Sequence, residues 1–295
     1  LCAILSGGHA LLIGAPGLAK TRLIDALGTV LGLGAGRVQF TPDLMPSDIL
    51  GSEILEQTED GKRSFRFVPG PVFTSLLLAD EINRASPRTQ SALLQAMQEK
   101  TVTVAGQDRS LGLPFHVLAT QNPIEQEGTY PLPEAQLDRF LMHVVIDYPS
   151  AEAEQKILHL ARNEYRHGVS TAQTRVSAED VFQARQEVAG IHMAEAVERY
   201  LLSLVLATRD PASLDPELGR WTAFGASPRG TIALDRCARA IAWLDGRDYV
   251  SPDDVRRVAF DVLRHRVLLT FEAEAEGMTA DDLLARLIDR VPVAA

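Results

Sequence analysis

The first half of the chain alternates short apolar runs with stretches of helical periodicity. The apolar runs have the length of buried strands, and the segments between them, such as Lys20 to Leu31 and Pro87 to Lys100, have amphipathic helical spacing. Strands that alternate with helices predict an α/β fold, a parallel sheet with helices on both faces. The predicted strands are His9 to Gly14, Arg37 to Phe40, Ser75 to Asp80, Phe115 to Gln121 and Leu141 to Ile146.

Two segments interrupt this alternation. Ser52 to Phe67 has Glu-Asp-Gly between extended flanks, and Thr101 to Leu111 begins with Thr-Val-Thr-Val before a turn that contains Gly. Extended flanks around such a turn are typical of a β-hairpin. The sequence therefore predicts two hairpins inserted into the α/β core.

The pattern changes after Tyr148-Pro149-Ser150, where almost all periodicity becomes helical. We predict an α/β domain over residues 1–149 and a small all-helical domain over residues 150–295. The clearest helical segments of the second domain are Glu152 to Arg166, Glu195 to Thr208, Arg229 to Leu244 and Asp253 to Val267.

Composition narrows the class of protein. The 295 residues are 46% hydrophobic and 23% charged, which is ordinary for a folded, soluble chain. A formal net charge of −10 argues against nonspecific binding to DNA or anionic membrane. There is no apolar run long enough to span a membrane, and the apolar start is not expected to be a signal peptide. We predict a cytoplasmic protein and, because the chain does not begin with Met, expect a further segment to precede it.

Cysteine and histidine usage offers no metal or redox motif. Cys2 and Cys237 are 235 positions apart, and we expect two buried free thiols in a reducing compartment. The seven histidines form no paired or metal-binding spacing, so we interpret them as structural.

A loop of small residues joins the first predicted strand to the first predicted helix. Such a loop lets consecutive backbone N–H groups face an anion, and the helix N-terminus adds partial positive charge. Lys20 would reach the β- and γ-phosphates of a nucleotide, and the Thr21 hydroxyl would bind Mg²⁺. Ala19 stands where Gly is common, but it is small and keeps its N–H. The alternative is a turn that only joins the two elements. The loop comprises Gly14, Ala15, Pro16, Gly17, Leu18, Ala19, Lys20 and Thr21.

Two carboxylates follow the third predicted strand, about 60 residues after the loop. Ligands of open α/β sheets bind at the carboxyl ends of strands. Asp80 would hold Mg²⁺ through its water shell, and Glu81 would polarise the water that attacks the γ-phosphate. The alternative is a solvated acidic strand end.

Two further residues are candidates for the same chemistry. Asn122 follows another apolar strand and would position the attacking water, although Asn before Pro is also a common turn. Arg139 follows a short helix that begins at Pro133, and it is a candidate arginine finger that stabilises charge on the transferring phosphoryl group. The alternative for Arg139 is a surface ion pair with Asp138 or Glu134.

The segment Ser227-Pro228-Arg229 predicts a helix start, with Ser as N-cap and Pro in the first turn. Ser251-Pro252 is a similar start, but there acidic residues follow, as the helix dipole favours. A cation in the first turn costs about 0.3–1 kcal/mol, which a bound anion would remove. We therefore interpret Arg229 as a second phosphate sensor, the alternative being an exposed Arg that bonds elsewhere.

Together these motifs resemble the AAA+ ATPases, a class of P-loop NTPases, and within them the MoxR family. The resemblance covers nearly the whole chain, its motifs occur in the order of the family, and Ala before the loop Lys is usual there. The runs that carry it are GAPGLAKT, FTPDLMPSDILGSEIL, VPGPVF, LLLADEINRASPRTQSALLQAMQE, ATQNP, EGTYPLPEAQLDRF and GASPRG.

The resemblance implies a five-stranded parallel sheet followed by a helical lid domain. It implies that the two hairpins face a ring pore or a substrate, and that the protein hydrolyses ATP with Mg²⁺ as a homo-oligomer, normally a hexameric ring. Lys20 and Thr21 would be Walker A, and Asp80 and Glu81 Walker B. Asn122 would then be sensor 1, Arg139 the finger that acts on the neighbouring subunit, and Arg229 sensor 2.

MoxR proteins resemble chaperones that assemble or activate other proteins. The resemblance therefore implies a protein substrate, possible partners with a von Willebrand factor A domain, and in some cases metal or cofactor insertion.

Three other functions were weighed. A nucleic-acid motor related to the MCM helicases shares the hairpins, but the acidic balance argues against it, and so does the second hairpin, which carries Arg109 beside Asp108 and no aromatic residue. An activator of the sigma-54 type would need a GAFTGA loop in the first hairpin, which is absent. A binder that holds ATP without hydrolysing it is disfavoured by four intact residues: Lys20, Asp80, Glu81 and Arg139.

Overall fold

The computed structural model describes most of the chain. The described residues are 1–14, 20–57, 63–123, 128–168 and 176–293, and the side chain of Thr21 is not among the described groups.

A five-stranded sheet forms the centre of the α/β fold, in the order β2-β5-β8-β1-β9. β5 pairs in parallel with β2 and with β8. Each of the five strands predicted from the sequence is present to within two residues. Among the described residues the strands are β1 (Ala10–Gly14), β2 (Ala35–Gln39), β3 (Gly51–Gln57), β4 (Arg63–Pro69), β5 (Leu76–Asp80), β6 (Thr101–Val104), β7 (Gln107–Ser110), β8 (His116–Gln121), β9 (Met142–Ile146), β10 (Thr222–Phe224) and β11 (Leu268–Leu269).

The middle strands of the sheet are apolar because both of their faces are covered. The first four residues of β5 are at most 1% exposed, whereas Asp80 at its end is partly exposed. The edge strand β2 buries only Val38. The polar carboxyl ends of the buried strands are therefore where solvent and ligands can reach the sheet.

The helices agree with the predicted segments, with one correction. The helix predicted over Asp253 to Val267 ends at Leu263, since the side chains of His265 and Arg266 bond instead to the Phe140 carbonyl, at 3.1 and 2.7 Å. The described helices are α1 (Cys2–Leu5), α2 (Lys20–Val30), α3 (Pro46–Leu50), α4 (Pro87–Glu99), α5 (Glu134–Leu137), α6 (Ala151–His167), α7 (Ala178–Gly190), α8 (Glu195–Arg209), α9 (Pro216–Trp221), α10 (Pro228–Leu244), α11 (Pro252–Leu263), α12 (Phe271–Ala275) and α13 (Ala280–Arg290).

The helix starts follow the predicted capping pattern. The Ser227 hydroxyl accepts a hydrogen bond from the Arg229 N–H at the start of α10, at 3.2 Å. Ser251 and Asp254 form a reciprocal capping box at the start of α11. The second half of the chain also contains the short antiparallel pair β10–β11, which is too short to be predicted from periodicity.

Both predicted hairpins are confirmed. β3 pairs with β4, and β6 pairs with β7, each in antiparallel register. Arg109 of β7 joins the two hairpins, because its guanidinium lies 3.3 Å from the Glu53 carboxylate and 3.8 Å from the centroid of the Phe67 ring. The first hairpin presents exposed apolar side chains, including Leu55 and Phe65.

The chain forms two compact units that alternate along the sequence. One comprises Leu1–Leu11, Pro131–Val144 and Val181–Ala295, and the other comprises Leu12–Tyr130 and Val145–Asp180. Because the units follow packing rather than chain order, they do not test the single boundary predicted after residue 149.

The two cysteines are closer than their sequence separation indicates. Cys237 is buried as expected, but Cys2 is partly exposed, and its thiol donates to the Cys237 carbonyl at 3.6 Å. His143 and His265 are also neighbours, with ring centroids 5.5 Å apart. Among the described helices, none has the length and apolarity needed to cross a membrane.

Candidate functional site

Gly14, the acidic pair and the polar strand tip lie at the carboxyl ends of neighbouring strands. β1 ends at Gly14, β5 at Asp80 and β8 at Gln121. The register that pairs Ala79 with Ala119 makes Thr120 the neighbour of Asp80. Parallel strands thus bring these residues to one edge of the sheet.

Lys20 opens α2 and points back toward this edge. Its Nζ donates to the Gly14 carbonyl at 2.7 Å. Burial lowers the pKa of Lys20, and the negative charges of Asp80 and Glu81 oppose that shift. An ammonium group that feels the charge of two carboxylates provides a local charge arrangement suited to a phosphate with a divalent cation.

Thr120 links the two acidic residues. Its buried hydroxyl donates to Asp80 Oδ1 at 2.6 Å and accepts from the Glu81 backbone N–H at 2.9 Å. One side chain therefore fixes both the carboxylate of Asp80 and the backbone of Glu81.

Glu81 has an unusual backbone conformation. Its φ of 56° is left-handed, which is uncommon for a residue with a side chain and often marks a functional site. Its Oε2 accepts from Gln39 Nε2 at 2.9 Å and from Arg84 at 3.2 Å. The carboxylate is therefore oriented by the end of β2 and by the segment before α4.

Arg37 is the partner of the second Asp80 oxygen. Its guanidinium lies 2.7 Å from Asp80 Oδ2 and also donates to the Gln39 side chain at 2.9 Å. Arg37 is half exposed, so the pair is weak in water and open to exchange.

Asn122 is buried just beyond β8, at 5% exposure. The remaining predicted phosphate-binding residues lie outside the described part of the chain: Ala15, Pro16, Gly17, Leu18, Ala19 and the side chain of Thr21.

Arg139 and Arg229 belong to the unit that comprises Leu1–Leu11, Pro131–Val144 and Val181–Ala295, whereas the residues described above belong to the other unit. Arg139 follows α5 and is partly buried, with its backbone N–H bonded to the Gln136 carbonyl at 3.2 Å. Arg229 lies in the first turn of α10, and its guanidinium is 3.6 Å from Asp138 Oδ2. Asp138 thus supplies an anion beside this cation, so the dipole argument for a phosphate at Arg229 loses force.

The donor set at the strand ends fits Mg²⁺. Mg²⁺ prefers oxygen ligands and is usually held by one or two carboxylates together with substrate phosphates and water. Asp80 supplies such a carboxylate beside Lys20, which would hold the phosphates. Among the described residues no cluster of three or more His, Cys, Asp or Glu could hold a metal ion by itself.

Sequence reasoning missed four side chains of this site. Thr120, Arg37, Gln39 and Arg84 are ordinary polar residues near strand ends, and their roles depend on which strands are neighbours. The role of Thr120 becomes visible only in the structure, where the parallel register of β5 and β8 places it beside Asp80.

Two family models match the chain. Residues 9–142 match the ATPase family associated with various cellular activities (AAA), and residues 220–287 match the AAA lid domain. The fold is therefore that of an AAA ATPase core with its lid.

Proteins of known sequence and structure narrow this class. Chaperone MoxR1 of Mycobacterium tuberculosis is 44% identical over 99% of this chain and 76% of its own length. MoxR of Paracoccus denitrificans is 36% identical over 94% of this chain and 85% of its own length. A crystal structure from Cytophaga hutchinsonii superposes with a TM-score of 0.92, at 44% identity, and covers all of this chain and 88% of its own. The chain belongs to the MoxR family of AAA+ ATPases.

Proposed function

We propose that this protein binds and hydrolyses ATP with Mg²⁺ at the carboxyl ends of β1, β5 and β8. The observation that carries the proposal is the clustering of Lys20, Asp80 and Glu81, with Thr120 bridging the two acids. The products are ADP and phosphate.

Each residue has a role that follows from its chemistry. Backbone N–H groups of residues 14–21 hold the phosphates, and Lys20 neutralises the β- and γ-phosphates. Asp80 and the Thr21 hydroxyl would hold Mg²⁺, which when bound would offset the phosphate charge that develops in the transition state. Glu81 orients and polarises the attacking water, and Asn122 is the second residue that positions this water.

Gln39 and Arg84 hold Oε2 of Glu81, and the other carboxylate oxygen, Oε1, would accept from the attacking water. Both bonds join the acid to side chains on neighbouring elements, and Arg84 is 40% exposed on its side chain. These two bonds therefore set the orientation in which the Glu81 carboxylate would face the water.

The remaining part of the proposal concerns assembly and partners. The chain would form a homo-oligomer, expected as a hexameric ring, in which Arg139 acts on the nucleotide of the neighbour and Arg229 senses phosphate. The ring would act in the cytoplasm as a chaperone-like motor on a partner protein. The chaperone role is supported by the relative named Chaperone MoxR1. A von Willebrand factor A domain protein and a step of metal or cofactor insertion are candidates that the family resemblance implies.

A second candidate, action on nucleic acid, is disfavoured by a specific contact. Arg109, the basic residue of β7, is engaged by Glu53 and Phe67 rather than presented to a phosphate backbone. Asp108 beside it accepts from the Thr103 hydroxyl at 2.6 Å.

The test compares phosphate release by the wild type with that of two site variants. Lys20→Ala should lose ATP binding. Glu81→Gln should bind ATP but lose about 10²–10⁴-fold in kcat, because the general base is gone. Glu99→Gln, at an exposed acid at the end of α4, is the matched control and should remain active. Full activity of Glu81→Gln would refute the assigned role.

The same variant tests the partner. Tagged Glu81→Gln, held in its ATP state, should enrich specific proteins over Lys20→Ala when both are recovered in Mg-ATP. Recovery of nucleic acid alone would contradict the chaperone proposal.

A further inference from the structure

Asp138 lies between two candidate phosphate contacts. It directly precedes Arg139 in the chain, and its Oδ2 lies 3.6 Å from the Arg229 guanidinium. The same Oδ2 accepts from the Ser227 hydroxyl at 3.0 Å, and Oδ1 accepts from Arg266 Nε at 2.9 Å. One carboxylate thus joins three segments that are distant in sequence.

Arg266 is the buried partner of this carboxylate. Its side chain is 2% exposed, and burial lowers its pKa while Asp138 opposes the shift. The guanidinium also donates to the Phe140 carbonyl at 2.7 Å, to the Leu141 carbonyl at 3.3 Å and to the Val262 carbonyl. A buried cation with this many fixed acceptors holds the backbone of residues 138–141 against the end of α11.

Ser227 extends the same network to α10. Its hydroxyl caps the helix by accepting from the Arg229 N–H, and it donates its own proton to Asp138. Since one hydroxyl makes both bonds, the first turn of α10 is held at Asp138.

The Arg229 contact is the loosest of the network. At 3.6 Å it is longer than a hydrogen bond, and the Arg229 side chain is 49% exposed. A phosphate could therefore take Arg229 from Asp138 at little cost, and the charge of Asp138 would remain balanced by Arg266.

We propose that Asp138 is a positioning residue that holds Arg139 and Arg229 as one body, so that both phosphate contacts depend on a single carboxylate fixed by Arg266. The inference rests on the proposed function, because the positions of Arg139 and Arg229 matter for turnover only if the protein hydrolyses ATP. Asp138 itself touches no reacting atom.

The test begins with Asp138→Asn, which keeps the shape and removes the charge. We expect unchanged ATP affinity and a fall in turnover on the order of a hundredfold, as for a catalytic group displaced by about 1 Å. Asn leaves the buried Arg266 without a counter-charge, which could destabilise the fold. A second variant, Asp138→Asn/Arg266→Met, removes that buried cation as well, and we expect it to lose turnover to the same extent. The control is Glu217→Gln, which breaks an exposed Glu–Arg pair at 3.1 Å in the same unit and should be neutral.

Subunit mixing separates positioning from misfolding. Lys20→Ala offers an intact Arg139 but binds no ATP, whereas Arg139→Ala binds ATP but offers no finger. Asp138→Asn should regain part of its turnover when mixed with Lys20→Ala, which supplies an intact Arg139 while Arg229 of the Asp138→Asn subunit stays displaced, and it should stay inactive with Arg139→Ala. Wild-type turnover of Asp138→Asn, or failure of Lys20→Ala to restore either folded Asp138 variant, overturns the proposal.

Hydrogen exchange tests the connection without relying on hydrolysis. In Asp138→Asn the amides of residues 139–141 and 229–231 should exchange faster together, while Glu217→Gln leaves them unchanged. Unchanged exchange at the start of α10 overturns the proposal. If the wild type hydrolyses no ATP, the proposed function fails and this measurement alone decides whether the connection exists.

Discussion

At the scale of single residues, Thr120 positions both acidic residues of the site, although threonine is not a residue type that signals such a role. Thr120→Val keeps the volume but leaves the Glu81 N–H and one Asp80 oxygen without their shared partner. We expect a loss of about 1–3 kcal/mol in the free energy of unfolding, and a turnover lowered more than tenfold. Thr120→Ser keeps the hydroxyl and should retain most of the stability and most of the turnover. Urea unfolding and phosphate release measure the two effects, and a Val variant with wild-type turnover would contradict the assigned link.

His143 gives a pH dependence of stability that can be assigned to one ring. Burial, and then the positive charge of Arg264, lowers its pKa from 6.5 to about 4, while Asp281 opposes the shift. Above pH 6.5 the ring is neutral in both the folded and the unfolded chain. Between pH 6.5 and 4 only the unfolded chain takes up the proton, so stability falls as the pH falls.

The measurement is the free energy of unfolding of wild type and His143→Gln at pH 7 and pH 4. The wild type should lose on the order of 2 kcal/mol more than the variant over this range. Equal losses in the two proteins would show that His143 does not carry this dependence. Burial also lowers the pKa of His265 well below 6.5, but His265 is present in both proteins, so its contribution cancels in the comparison.

At the scale of elements, the two inserted hairpins are coupled through one side chain. Arg109→Ala removes both the ion pair with Glu53 and the stacking on Phe67, and should cost about 1 kcal/mol. Hydrogen exchange should then rise in β3 and β4 although the substitution lies in β7. Arg66→Ala, which breaks an exposed pair with Glu56 on the first hairpin, is the matched control. Exchange confined to β6 and β7 would contradict the coupling.

Most elements could be predicted from the sequence because their signals are local. The five sheet strands and both hairpins follow from apolar runs and turn residues, and the caps at Ser227 and Ser251 follow from residue type. The end of α11 was not predictable, because His265 and Arg266 leave the helix to bond with residue 140, which is distant in the chain. The β10–β11 pair could not be predicted either, because its two short strands are far apart in sequence.

At the scale of the whole molecule, the sequence identifies the chemical groups but not their contacts. Lys20, Asp80 and Glu81 are recognisable from spacing and strand context, and the structure places them close together. The bonds from Gln39 and Arg84 to Glu81, and from Arg266 to Asp138, require knowledge of which elements pack together. A helix-dipole argument likewise could not reveal that Asp138 already lies beside Arg229.

The central claim is that ATP is hydrolysed at a site shared between subunits, and subunit mixing tests it most directly. Lys20→Ala and Arg139→Ala should each be nearly inactive alone, since one cannot bind ATP and the other lacks a finger worth about 10³–10⁵ in rate. Mixed at equal concentration, they should regain a substantial fraction of wild-type phosphate release. Full activity of Arg139→Ala alone, or a mixture that stays inactive although both variants assemble together, would contradict the account.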